Sequence, residues 1–86
     1  MDKRFSVSMC VYHKDTPEWF ETAVDSILDQ TIKPSEVVLV VDGPIFDELE
    51  QSISKYETNS IFKIIRLEKN MGHGIARRVS FENCSN

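Results

Sequence analysis

The sequence predicts an α/β fold: a short parallel sheet with helices on both faces. Three observations carry this prediction. Strand-like apolar stretches alternate with helix-periodic stretches three times in 86 residues, with polar or Pro/Gly-containing breaks between them. The second apolar stretch, residues 37–41, is an unbroken Val/Leu run of the kind covered on both faces of a parallel sheet. Right-handed βαβ crossovers then stack the helices against that sheet in three layers.

The first strand is expected over residues 5–12, apolar towards its end and stopped by His13, Lys14 and Asp15. Thr16 is a good helix N-cap, and Pro17 suits the first helical position because its missing N–H has no partner there anyway. Glu18 favours the positive end of the helix dipole. Trp19, Phe20, Ala23, Val24, Ile27 and Leu28 fall on one face at helical spacing. Pro34 punctuates the next loop, Glu36 leads into the second strand, and Asp42, Gly43 and Pro44 end it abruptly. Ile45, Leu49, Ile53 and Tyr56 repeat with helical spacing, with Asp47, Glu48 and Glu50 as the exposed early part of that helix. A polar break at residues 57–60 precedes a third strand over residues 62–67. The glycine-containing turn at residues 70–74 then leads to a weaker helix from about Ile75 to Asn83.

Composition bounds the function. A chain this short buries only roughly 60 to 65% of its surface on folding, so its stability is expected to be marginal. At 41% hydrophobic and 28% charged residues it is nevertheless globular rather than disordered. The net charge is −4 and the ten Lys and Arg are scattered, which argues against nucleic acid as a partner. Cys10 and Cys84 lie outside any paired metal spacing and are read as reduced thiols. The apolar stretch near the N-terminus is too short for a signal peptide, and no run reaches the length of a membrane span. A cytoplasmic location is expected.

The ligand site of such a sheet lies in the crevice outside the carboxyl ends of the strands, where residues 12–14, 42–44 and 69–74 converge. Asp42 either presents an acceptor carboxylate there, with Gly43 allowing close approach, or initiates the turn and caps the following helix. Tyr12 either stacks on a planar base or is a partly buried core residue. Asn70, Gly72 and Gly74 form a loop leading into a helix start that carries Arg77 and Arg78, a phosphate-facing element of which at most one arginine points to a ligand. Neither a dinucleotide fingerprint nor a P-loop is present. His13 and His73 both lie at strand ends, with no third or fourth metal ligand at a suitable spacing. Cys10 reads as a small core residue.

Taken together in order, three segments resemble the family 2 glycosyltransferases of the GT-A fold. Residues 7–13 are similar to an opening strand ending in Val-Tyr-Asn, with His13 in place of Asn. Residues 26–31 match a helix ending Ser-Ile-Leu-X-Gln-Thr, leading to Val40-Val41-Asp42-Gly43. Asn70-X-Gly72 with Ala76-Arg77 is similar to Asn-X-Gly-X-X-X-Ala-Arg-Asn. Val41, Pro44 and Arg78 depart from the common pattern. The resemblance covers the whole chain and implies a Rossmann-like, truncated GT-A fold with strand order 3-2-1, residues 1–86 being the N-terminal nucleotide-binding part of an incomplete domain. It implies transfer of a sugar from a nucleotide-diphosphate sugar to an acceptor hydroxyl, as in polysaccharide biosynthesis.

By that resemblance Tyr12 stacks on the base and Asp42 binds base or ribose, with Gly43, Asn70, Gly72, Ala76 and Arg77 lining the same pocket. The family's Asp-X-Asp, which holds a divalent cation (Mg or Mn), normally follows a segment like residues 80–86. No catalytic residue or metal ligand is therefore expected in this chain, and it is expected to be inactive alone. Leaving the first strand as an unpaired apolar edge, it is also expected to form a homodimer through that strand. The alternative is a stand-alone doubly wound nucleotide-binding or signalling module, or a purely structural interaction domain.

Overall fold

The unbroken apolar run becomes the middle of the sheet. A computed structural model describes residues 4–85. It contains β1 (Ser6–Val11), α1 (Pro17–Leu28), β2 (Glu36–Val41), α2 (Asp47–Ser54), β3 (Phe62–Arg66) and α3 (His73–Glu82). All strand pairs are parallel, in the order β1-β2-β3, the expected 3-2-1 read from the other edge. Register runs from Ser6 opposite Glu36 to Val11 opposite Val41, and from Val37 opposite Phe62 to Val41 opposite Arg66. Among the described residues β1 and β3 are the outer strands.

Alternation along β2 divides the protein into three layers. Leu39 and Val41 share one face with Val11, and on them pack Phe20 and Val24 of α1 and Leu49 and Ile53 of α2. Val38 and Val40, equally buried, face the other side, where α3 lies on β1 and β2. That helix approaches closely because its inner face is small: Ala76 and Ser80, one turn apart, are both fully buried. The Ser80 hydroxyl donates to the Val38 carbonyl at 2.9 Å and accepts from the Ser8 hydroxyl at 2.6 Å. A serine in a helix interior is thus spent on bonding helix to sheet.

The start of α1 is as its sequence dictates. Thr16 adopts an extended conformation and its hydroxyl accepts from the Trp19 N–H at 3.2 Å, with Pro17 in the first turn. Trp19 departs from expectation. It is 50% exposed, because Phe20 and Val24 set the face that α1 turns to the sheet, and Trp19 projects about 100° away, beyond the β1 edge. Ile45 and Tyr56 lie outside α2 yet still pack on the same core. The Tyr56 ring stacks on Phe62 (centroids 5.5 Å apart) and meets Phe20 edge-on at 5.8 Å, while its hydroxyl donates to Asp25 at 2.9 Å. Burial, then Asp25, pushes that phenol up to about 12.

Between α1 and α2, Glu21 accepts from Ser52 and Lys55, both at 2.7 Å. Glu50 and Glu57 both pair with Arg66 at the end of β3. Among the described residues no helix is long and apolar enough to cross a membrane.

Candidate functional site

Three chain segments leave the carboxyl ends of the strands and are tied to one another by backbone bonds. The Asp42 N–H donates to Val11 O at 2.8 Å and the Leu67 N–H to Val41 O at 2.9 Å. After β1 the chain turns at once: the Asp15 N–H donates to Tyr12 O at 3.0 Å, and the Asp15 carboxylate accepts from the Tyr12 N–H at 3.1 Å.

Asp42 is only 3% exposed. Its two carboxylate oxygens are taken up by the loop between β3 and α3: Oδ1 accepts from the Met71 N–H at 2.7 Å and Oδ2 from the Gly72 N–H at 3.1 Å. Neither sequence reading of Asp42 contained this role, and it does not cap α2, whose N-cap position is Phe46 with no side-chain bond. Asn70 reinforces the arrangement, its Oδ1 accepting from the Gly72 N–H at 3.1 Å and its Nδ2 donating to Asp42 O at 3.4 Å.

Gly43 does allow a close approach, and what approaches is this loop. Its φ is +87°, and a Cβ built on it would stand 2.5 Å from the Asn70 backbone N. Gly72, at φ +91°, turns the chain into α3. Asp42, Gly43, Asn70 and Gly72, picked out separately in the sequence, therefore form one interlocked unit.

Tyr12 is half-buried, and two imidazoles meet its ring edge-on, His73 at 5.0 Å and His13 at 5.4 Å. Beside it an open groove of about 600 Å³ runs along β1, lined by Met9, Cys10, Asp15 and Trp19 together with His73 and Arg77 of α3. His73, Arg77 and the 76% exposed Phe81 recur every fourth residue along one stripe of α3. Of the two arginines only Arg77 lines the groove. Burial holds the Cys10 thiol above its ordinary value, and the Arg77 guanidinium offsets only part of that rise. Ala76 has no exposed surface, so it serves the site by letting α3 lie against the sheet.

The two histidines come together only around Tyr12. Among the described residues no three His, Cys, Asp or Glu gather where they could hold a metal ion. The contact of His73 with Tyr12 agrees with the expected convergence of residues 12–14 and 69–74, whereas sequence reasoning missed the clasp at Asp42, which nothing local announces.

The sequence pattern of the family described as Glycosyl transferase family 2 matches residues 6–86. Over 81 residues, 94% of this chain, it is 36% identical to the amylovoran biosynthesis glycosyltransferase AmsE of Erwinia amylovora. It is 37% identical over the same length to an Escherichia coli UDP-Gal:alpha-D-GlcNAc-diphosphoundecaprenol beta-1,3-galactosyltransferase. A further relative, an uncharacterized glycosyltransferase of Haemophilus influenzae, is 33% identical. The chain spans 30% of the length of each of these three proteins. No solved structure matches it.

Proposed function

The chain belongs to glycosyl transferase family 2, and from that premise we propose that it is the nucleotide-binding part of an enzyme that moves a sugar from a nucleoside-diphosphate donor to an acceptor hydroxyl. The observation that supports this reading is the meeting of the Asp42–Gly43 turn with the loop at residues 70–72 at the carboxyl ends of three parallel strands, next to the contact of Tyr12 with His73, whose helix also carries Arg77 into the groove along β1. Tyr12 offers a ring to the base, and the exposed Asn70 offers amide groups to the ribose. Arg77 projects from the second turn of α3 towards the phosphates.

The galactosyltransferase relative is named for a UDP-linked donor, which makes a uridine diphosphate sugar the donor proposed here. The AmsE relative is named for amylovoran biosynthesis, which supports a role in building a saccharide polymer. A divalent cation, Mg or Mn, belongs to the proposed whole enzyme, with its ligands in the part of the relatives' length that this chain does not span. When bound, such an ion neutralises charge on the leaving diphosphate. The chain is proposed to bind nucleotide without transferring sugar by itself. The reaction is placed on the cytoplasmic side, in keeping with two free cysteines.

The test is a thermal shift against three compounds. Base and ribose contacts without a metal bridge correspond to about millimolar affinity, about −4 kcal/mol. At ten times that concentration UDP adds about 1.4 kcal/mol of stability and raises Tm by roughly 6 to 11 °C. Orthophosphate at the same concentration is expected to leave Tm unchanged, and ADP to shift it less than UDP. An equal response to all three, or none to UDP, refutes the reading.

A further inference from the structure

We propose that the face of the sheet that carries α3 docks on an anionic lipid bilayer, the contact being the shelf between α3 and the outer strand β3. This goes beyond the nucleotide-binding reading and stands on a different part of the molecule.

The helices on the two faces of the sheet differ in charge. α1 bears Glu18, Glu21 and Asp25, and α2 bears Asp47, Glu48 and Glu50, with no Lys or Arg in either. α3 bears Arg77 and Arg78, with Glu82 as its one carboxylate. Among the described residues the ion pairs all lie on the α1 and α2 side, where Lys55 and Arg66 meet Glu21, Glu50 and Glu57. Both arginines of α3 are exposed and enter none of them.

α3 lies over β1 and β2, which leaves β3 largely uncovered on that face. Lys63 and Ile65, register partners of Val38 and Val40, point to the same side as α3. The Lys63 ammonium is exposed and donates to Asn83 O at the end of α3 at 3.4 Å. Arg77 faces the groove along β1, and Ile75 and Val79 stand about 160° round the helix from it, on the flank that overhangs β3. Ile75 is 44% exposed, with Arg78 beside it one turn on. The shelf therefore has an aliphatic floor of Ile65, Ile75 and Val79, with Lys63 and Arg78 at its rim. The nearby Glu36 is occupied by the Ser6 hydroxyl and the Ser85 N–H.

Aliphatic side chains set among long cationic ones suit a lipid surface, since the apolar groups enter the headgroup boundary while the cations stay level with the phosphates. The net charge of −4 does not oppose this. The two helix layers stand roughly 20 Å apart across the sheet, about twice the screening length at 0.1 M salt, so a surface meeting α3 feels its arginines and little of the carboxylates on α1 and α2.

The experiment is co-sedimentation of the whole chain with vesicles, in wild type, Arg78→Glu, Ile75→Ser and Asp29→Lys. All three positions are exposed, and circular dichroism reports that each variant remains folded. Wild type is expected to bind vesicles of equal parts phosphatidylglycerol and phosphatidylcholine in preference to pure phosphatidylcholine, and to be released at about 1 M salt, where the screening length falls to about 3 Å. Arg78→Glu is expected to weaken binding about 25-fold, two charge units at about fivefold each. Ile75→Ser is expected to weaken it about fivefold, the scale of burying half an isoleucine side chain. Asp29→Lys, at the C-cap of α1, alters the net charge by the same two units in the opposite sense, yet is expected to change binding less than about twofold because it lies on the far face.

Absence of binding, or equal binding to the two vesicle compositions, overturns the proposal. A gain in Asp29→Lys as large as the loss in Arg78→Glu also overturns it, since net charge and not this face then decides. Self-association without vesicles that Ile75→Ser abolishes assigns the shelf to a second copy of the chain instead. No nucleotide enters the experiment, so none of these results touches the nucleotide-binding reading.

Discussion

Ser80 measures how tightly α3 is held to the sheet. Its hydroxyl is fully buried, donates to Val38 O at 2.9 Å and accepts from Ser8 at 2.6 Å. Ser80→Ala removes both bonds. The Ser8 side chain lies at the exposed edge and turns to water, so the cost is mainly the bond to Val38, about 1 kcal/mol within a range of roughly 0.5 to 1.5. For a domain of this size that lowers Tm by about 4 to 8 °C. Ser80→Leu instead puts three carbons beyond Cβ in place of one oxygen between helix and sheet, where Ala76 and Ser80 leave no room, and costs about 1 to 3 kcal/mol or more. Against a total stability of roughly 4 to 13 kcal/mol, that substitution brings the chain close to unfolding if its stability lies at the lower end of this range. Urea denaturation followed by circular dichroism gives the stabilities, and fluorescence of Trp19, which lines the groove together with Arg77, reports the docking of α3. A Ser80→Leu variant as stable as wild type, or a Ser80→Ala variant indistinguishable from it, refutes the claim that small residues and this bond hold the helix.

Glu21 accepts from Lys55 and Ser52, and Glu36 accepts from Ser6 and the Ser85 N–H; these bonds hold both carboxyls below their usual 4.5. Groups lowered by folding contribute stability that is present above the unfolded value and lost as pH falls through the folded one, so the urea midpoint is expected to drop below about pH 4.5. Glu21→Gln should flatten that acid limb, and an unchanged pH profile contradicts the assignment. Tyr56, pushed up to about 12, is expected to contribute stability that is intact below pH 10 and lost as pH rises towards 12, with a late phenolate absorbance step that Tyr56→Phe removes. The bonds Phe5 O and Val11 O accept from residues at the start and end of β2 place the odd-numbered groups of β1 towards β2, leaving those of Ser8 and Cys10 pointing outwards. Self-association through that edge is expected to rise with concentration in sedimentation and to be lost in Ser8→Pro but not Ser8→Ala; a monomer at all concentrations contradicts it.

The sequence announces what repeats or punctuates. The run at residues 37–41 reads as a doubly covered strand because every residue in it is apolar, and Thr16-Pro17 marks a helix start because capping chemistry is local. The location of the candidate site follows from topology, since the chain must leave a parallel sheet at its carboxyl ends. Longer-range matters are hidden. Trp19 shares the apolar period of α1, and the face that Phe20 and Val24 turn to the sheet leaves it half exposed. The role of Asp42 depends on amides 29 and 30 residues away, and Ser80 on a hydroxyl 72 residues away, separations that no local pattern encodes. Gly43 was legible as a point of close approach, while the identity of the approaching backbone was not.

Amide chemical shifts during a UDP titration of the wild-type chain test the central claim most directly. The account predicts that shifts concentrate at Tyr12, at Asn70 to His73 and at Arg77, saturating near millimolar concentration, about −4 kcal/mol of binding. A second depression, beside Asp25 of α1 and Asp29 at its C-cap, is predicted to stay silent. Shifts centred on α1 instead, or none around Tyr12 and the loop at residues 70–72 at saturating UDP, would contradict it.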